Sequence, residues 1–430
     1  MSQETKPQET KDVVEKKEAP KGRYAICALI KWVLIGTFIG SVVGTASSIF
    51  GLSLIAVADF RMQNPIIVLG LPLAGLVIVF LYKVFKNTKD TGTNMVISSI
   101  HSSTDIPFIM APLIFVSTIL THLFGGSSGR EGAAIQLGGS LANQMGKWFK
   151  LNKNDQRIII MCGMSAGFSA LFGTPLAAAI FSLEVISIGI MHYSALVPCV
   201  TAAMIAHFVA GLFQVEPEHF VVEVIPTMTP GIFLKIVILG ALIGGVSVLF
   251  CIALHSAEHL YRKFFKSRYL RIFVAGCIVV LLSMLLQTDY YLGTGQNIIE
   301  DIFHTGQTPI YTFALKILFT ALTLGAGFKG GEIIPSFCIG AAVGCAVASL
   351  FGLPATLVAA CGMVGLFCGV TNCPITSLLI SFELFGFEGM PYYLVAVAVS
   401  YMLSGYYGLY RSQKIMYSKT ETTFVNTEAK

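Results

Sequence analysis

A carboxylate set at the end of a glycine run is the most informative chemistry in this chain. Gly125-Gly126-Ser127-Ser128-Gly129-Arg130-Glu131-Gly132 leads into Ala133-Ala134-Ile135-Gln136-Leu137, a pattern that reads as a loop opening a helix. The free N–H groups and positive dipole end of such a terminus make an anion site. Glu131 at that terminus is an intramolecular anion that competes with a bound one, and protonating it would free the place. The alternative is an ordinary first-turn glutamate facing water, although acids inside apolar segments are rare and usually functional. A second run, Gly327-Phe328-Lys329-Gly330-Gly331-Glu332-Ile333-Ile334-Pro335, again leads into a helix, with Pro335 in its first turn. Its amides at Glu332, Ile333 and Ile334 would face the same ion from the other side, unless this is a simple turn. Tyr410, after the last apolar stretch, offers a hydroxyl donor; a tyrosine of the interfacial belt is the plainer reading.

What must position these groups is membrane-embedded helix. The chain is 55% hydrophobic and 12% charged, against about 25% charged in soluble domains. Apolar stretches at Ile26–Ala56, Pro65–Phe85, Pro107–Phe124, Ile232–His255, Ile272–Leu286 and Tyr393–Tyr406 are the spanning candidates, since a crossing takes about 20 apolar residues. Between them lie segments broken by glycine and proline, as helices ending inside a membrane are. An internal repeat orders the whole. Gly163, Met164, Phe168, Pro175, Ser182 and Glu184 recur at one shift as Gly362, Met363, Phe367, Pro374, Ser381 and Glu383, and Lys31, Gly36, Ile39 and Gly40 recur as Lys235, Gly240, Ile243 and Gly244. The expected organisation is a disordered cytosolic tail over 1–23, a first transmembrane repeat over 24–210, a linker over 211–229, a second repeat over 230–410 and a short cytosolic tail over 411–430.

Several function classes fall away. No dense basic patch suits nucleic acid, the net charge being +5. The ten cysteines show neither a CxxC pair nor zinc spacing, so no metal or cofactor is expected. The first 23 residues lack the apolar core of a signal peptide, and their lysines favour a cytoplasmic N-terminus. An intramembrane serine protease is the rival from another class: Gly126-Ser127-Ser128-Gly129 fits a GxSG pattern and His207 would be its base. Such a protease has no use for a two-fold repeat or for Glu131, and a non-transporting helical scaffold has no use for matched broken segments. The chain is therefore not expected to be an enzyme.

Taken in order, these motifs resemble the CLC family of chloride channels and anion/proton antiporters. Gly129-Arg130-Glu131-Gly132 matches the start of the family's GREGP motif, which makes Glu131 similar to its gating glutamate. Gly330-Gly331-Glu332-Ile333-Ile334-Pro335 falls on the GxFxP segment, and Gly408-Leu409-Tyr410 on the segment of the ion-coordinating tyrosine. The resemblance implies an all-α polytopic membrane protein, an inverted repeat of two helical halves with broken, half-spanning helices, and a homodimer in a bacterial plasma membrane with both termini cytoplasmic. Departures are equally informative. The GSGIP motif is replaced by Gly92-Thr93-Asn94-Met95-Val96, which places Met95 near the serine position. The inner proton-transfer glutamate falls on Val185, and the GxFxP phenylalanine falls on Ile333. These changes resemble the fluoride/proton antiporter clade, although that clade tends to carry threonine where this chain has Ile334. The expected anion-contacting set is Met95, Arg130, Gly132, Glu332, Ile333, Ile334 and Tyr410, with Glu131 as gate and proton carrier. The expected cargo is fluoride and protons, with a chloride channel or chloride/proton exchanger as the alternative.

Overall fold

The computed structural model describes residues 22–87, 90–102 and 104–430. The expected tail over 1–23 lies outside the described residues up to position 21, and Gly22 and Arg23 already belong to the first helix. Eight helices build the first half: α1 (Gly22–Gln63), α2 (Leu71–Val84), α3 (Thr93–Ser102), α4 (Met110–Leu123), α5 (Glu131–Trp148), α6 (Lys153–Phe172), α7 (Pro175–Glu184) and α8 (Leu196–Leu212). Eight follow in the second: α9 (Pro230–Phe264), α10 (Arg268–Leu286), α11 (Gln296–Thr305), α12 (Thr312–Ala326), α13 (Ile333–Phe351), α14 (Ala355–Thr371), α15 (Pro374–Phe385) and α16 (Met390–Leu403). The two sets match helix for helix, the longest first and a ten-residue helix third in each. A ten-residue helix is only about 15 Å long, half of a hydrocarbon core of roughly 30 Å, so α3, α7 and α11 must end within the protein.

The repeated glycines are packing surfaces. Gly36, Gly40 and Gly44 line the face of α1 that meets α8. A Cβ on them would stand 2.9 Å from Pro198 O, 2.6 Å from Ala202 O and 2.9 Å from Ala206 Cα. Small residues four apart let helix backbones approach this closely in a membrane, where no hydrophobic effect drives helices together. Gly240 and Gly244 do the same on α9, against Val399 and Leu403 of α16. Gly138 of α5 crosses Gly163 of α6 so closely that a Cβ on either would strike the other's carbonyl, and Gly340 crosses Gly362 likewise.

Among the described residues, six helices are long and apolar enough to cross a membrane: Ala25–Gln63, Pro65–Val84, Tyr193–Leu212, Pro230–Phe264, Arg268–Leu286 and Ile333–Phe351. Two expected spans, Pro107–Phe124 and Tyr393–Tyr406, are shorter helices, α4 and α16. Two unexpected ones, Tyr193–Leu212 and α13, appear in their place. By hydropathy α13 is as apolar as the other spans, at a mean of 2.0, yet 78% of its most apolar window is buried within the protein.

Beyond the helices, the final residues form a small sheet. β1 (Ser187–Ile188) pairs in parallel with β2 (Lys414–Tyr417), and β2 pairs antiparallel with β3 (Phe424–Glu428). The C-terminal segment read as a tail is thus anchored. Ile415 of β2 is buried, and the wholly buried Gln413 donates to Val185 O at 2.9 Å and Thr371 O at 2.8 Å.

The halves are also cross-bolted. Glu184, last residue of α7, accepts from the amides of Ile375 (3.0 Å) and Thr376 (2.8 Å) and from Thr376 Oγ1 (2.6 Å), at the start of α15. Glu383, near the end of α15, returns the bond to Leu176 (2.8 Å) and Ala177 (2.9 Å), at the start of α7. Each acid sits at the unfavourable end of its own helix and the favourable end of its partner's.

Candidate functional site

The two glycine runs meet. Gly129 N donates to Gly331 O at 2.6 Å and Gly331 N to Gly129 O at 2.7 Å, a two-residue antiparallel bridge between the halves. Glycine is required here by close approach. A Cβ on Gly331 would lie 2.7 Å from Gly132 N, and one on Gly129 would lie 2.8 Å from Glu131 Oε2 and 3.0 Å from Pro335 Cδ. The bridge sets the N-terminus of α5 beside that of α13, tip to tip.

Glu131 opens α5, is fully buried, and turns its carboxylate towards the other tip. Oε2 accepts from Arg130 N at 3.1 Å and from Ile334 N at 3.4 Å. Oε1 has no hydrogen-bond partner among the described residues; its nearest cation is Arg130 Nε at 3.6 Å. The carboxylate therefore occupies the amides of α13's first turn, where a small anion would sit, and holds them by one long bond.

Glu332 brings a second carboxylate to the same place. Its Oε2 is buried and unpartnered, and a Cβ on Gly132 would meet it at 3.2 Å and Thr93 Oγ1 at 3.4 Å. The Tyr410 hydroxyl, 1% exposed and without a partner among the described residues, lies within electrostatic reach of both carboxylates. The structure thus brings together Glu131, Gly132, Glu332, Ile333, Ile334 and Tyr410. Arg130 contributes its backbone amide, while its guanidinium turns away to Glu218 at 2.5 Å.

Below the tips opens a cavity of about 1080 Å³, reaching Glu332, Tyr410 and Gln136 at its inner end. Its walls carry Lys83, Arg262, Lys266, Arg268, Arg271 and Arg411, an excess of cations over Asp90, Glu258 and Glu332 that draws anions in. Met95 is absent from these walls and packs against the core, while Thr93 and Asn94 line the cavity. Thr93 is the first residue of α3, and Met95, two residues on, is turned by about 200° to the opposite face. Thr93 Oγ1 accepts from Gln136 Nε2 at 3.2 Å, and Asn94 Oδ1 accepts from Ser412 N at 2.9 Å, fastening α3's tip to the segment that carries Tyr410. Thr93, Gln136 and Glu218 were missed in the sequence. Only Thr93 carried a signal, as a hydroxyl directly after Gly92 at a helix start.

The protease constellation does not form. Ser127 Oγ bonds to Thr320 Oγ1 at 3.0 Å, Ser128 Oγ has no partner among the described residues, and the His207 ring lies against Phe208 on α8. Val185 is buried, with its carbonyl taken by Gln413.

Residues 74–405 match the family described as voltage gated chloride channel. The chain belongs to that family. Among relatives of this CLC protein, a chloride/fluoride channel protein of Pseudomonas syringae pv. tomato is 37% identical over 398 residues, which is 91% of this chain and 88% of that one. The crystal structure of a CLC-type fluoride/proton antiporter is similar at a TM-score of 0.87 and 34% identity, covering 92% of this chain and all of that one. A slow cyanobacterial Cl−/H+ antiporter shares the fold at a TM-score of 0.72 and 20% identity, over 90% of this chain and 95% of the other. The CLC resemblance drawn from the motifs is thereby confirmed, as is a multi-pass membrane protein built from two inverted helical halves that transports anions.

Proposed function

We propose that this CLC protein exchanges fluoride for protons across a cell membrane, with Glu131 as both plug and proton carrier. One observation carries the reading: the Glu131 carboxylate occupies the amide end of α13 by a single 3.4 Å bond and leaves its other oxygen unpaired. A carboxylate at a helix N-terminus gains at most about 2 kcal/mol from the dipole, so an arriving anion can displace it and a proton can release it. With valine at position 185, the buried acids at the tips are the groups that remain to carry the proton. Glu131 takes it up beside one mouth and delivers it as it swings towards the other. Fluoride, small and strongly hydrated, needs close donors in place of its water. The α13 amides, the Tyr410 hydroxyl and the Thr93 hydroxyl supply them, while Glu332 is placed to form a hydrogen bond with the ion when protonated. A relative named as a fluoride/proton antiporter and one named as a chloride/fluoride channel support fluoride as the cargo. The cation-rich cavity belongs on the cytoplasmic side by the positive-inside rule, which puts the start of α1 there too. As in the family resemblance, the working unit is a homodimer.

The test is flux from proteoliposomes under a fluoride gradient, read by fluoride electrode and internal pH. Wild-type protein moves protons against fluoride, and Glu131→Gln passes fluoride without a pH change. Undiminished proton movement in the variant refutes the assignment. The same vesicles loaded with chloride decide the cargo: chloride flux equal to fluoride flux favours the second reading, a chloride transporter.

A further inference from the structure

The segment between α8 and α9 does more than join the halves. Pro217 packs against Gly173, whose φ of +72° ends α6, and Glu218 N donates to Phe172 O at 3.3 Å. Two residues on, Phe220 N donates to Leu384 O at 2.9 Å, and the Phe220 ring stacks on Phe303 of α11 at 4.9 Å. The segment is therefore pinned first to one half and then to the other. Between the pins, Glu218 Oε1 receives Arg130 at 2.5 Å and Oε2 receives the side-chain amide of Gln296, the first residue of α11. Arg130 and Glu218 are each only 12% exposed in their side chains.

We propose that Glu218, backed by Gln296, is a positioning residue that holds the Arg130 guanidinium off the Glu131 carboxylate and so sets how readily that carboxylate leaves its seat. This rests on Glu131 being the gate. Arg130 stands next to Glu131 in the chain, with Nε 3.6 Å from Oε1, and neither atom has a hydrogen-bond partner among the described residues. A guanidinium carries five donors in a planar fork suited to carboxylates. The direction in which it forks is decided here by Glu218, whose backbone is fixed by α6 and whose second oxygen is fixed by α11. Without the Glu218 charge, the nearest carboxylate oxygen open to Arg130 is the unpaired Oε1 of Glu131. A paired gate must break a charge-assisted bond on every cycle, while the anion seat itself is untouched. Because Gln296 and Arg130 come from different halves, the clamp also makes the gate's freedom depend on how the halves sit together.

The test measures fluoride efflux and proton flux in proteoliposomes for wild type, Glu218→Gln, Gln296→Leu, Glu131→Gln and the double variant Glu131→Gln/Glu218→Gln. Glu218→Gln slows fluoride efflux roughly tenfold, the cost of one additional charge-assisted bond, with the ratio of fluoride to protons unchanged. Gln296→Leu leaves the Glu218 charge in place and slows efflux about threefold, because it loosens Glu218 by one bond without removing the carboxylate that holds Arg130. In the Glu131→Gln background, the added Glu218→Gln changes efflux less than twofold, because no gate charge remains for Arg130 to seize. A Glu218→Gln rate equal to wild type overturns the proposal. So does an equal slowing in both backgrounds, which would mark Glu218 as merely structural. Where Glu218→Gln fails to fold, Gln296→Leu with and without Glu131→Gln carries the same comparison. Proton movement retained by Glu131→Gln alone brings down the gate reading instead, and the two failures are told apart by that single arm.

Discussion

Glu184 and Glu131 each offer a carboxylate to the N-terminal amides of a helix in the opposite half, α15 for one and α13 for the other. Glu184 makes three bonds of 3.0 Å or less with both oxygens engaged, and Glu383 answers it with two more across the pseudo-two-fold relation. Glu131 makes one bond of 3.4 Å across the halves and leaves an oxygen unpaired in a fully buried place. The chemistry is the same in kind, and the difference lies in completion. A buried carboxylate with both oxygens engaged is a fastener, because moving it strands several donors at once. One that is half satisfied is held weakly in a place where either a proton or a competing anion changes its preference.

The comparison can be broken from its strong side first. Glu184→Leu leaves the Ile375 amide and the buried amide and hydroxyl of Thr376 without their acceptor and lowers stability by about 3–5 kcal/mol, read as a fall in thermal unfolding temperature of the purified protein in detergent. A melting temperature equal to wild type would show that completion is not what makes a fastener. Glu383→Leu, which removes a less deeply buried carboxylate holding two bonds instead of three, costs about 1–2 kcal/mol in the same measurement. On the weak side, Tyr410→Phe removes a hydroxyl that has no hydrogen-bond partner among the described residues. It leaves the melting temperature unchanged and weakens apparent fluoride affinity by roughly fivefold, about 1 kcal/mol for one donated bond. Smallest of all, Glu131→Gln moves stability by less than about 1 kcal/mol while it uncouples transport; a large loss of stability there would place Glu131 among the fasteners.

Much of the fold was legible because the repeat writes packing into residue type. Gly36 and Gly40 recur as Gly240 and Gly244 because α1 must lie against α8 as α9 lies against α16, and Gly163 recurs as Gly362 because each is crossed by a facing glycine. The recurrence of Glu184 as Glu383 was visible too, but their exchange of helix ends was not, since the shift fixes equivalence and says nothing of which equivalent touches which. The spans were read less well. Hydropathy marks α13 as readily as the lipid-facing spans, because it scores apolar residues without regard to whether they meet lipid or protein. Met95 was placed from a motif, and a motif does not say that Thr93 and Asn94 beside it line the cavity. Glu218 was passed over because a polar residue in a connecting segment looks the same whether it meets water or a guanidinium.

The sequence by itself determined that the chain is helical and membrane-embedded, that its halves repeat, and that two glycine runs each open a helix. Those facts reside in composition and spacing along the chain. Only the tertiary structure decided that the two ends meet at the Gly129–Gly331 bridge, that Thr93 rather than Met95 faces the cavity, and that Glu218 holds Arg130. The reason is that these are contacts between segments far apart in sequence. Local pattern fixes the direction a helix end points, and only packing across the two halves fixes what it points at.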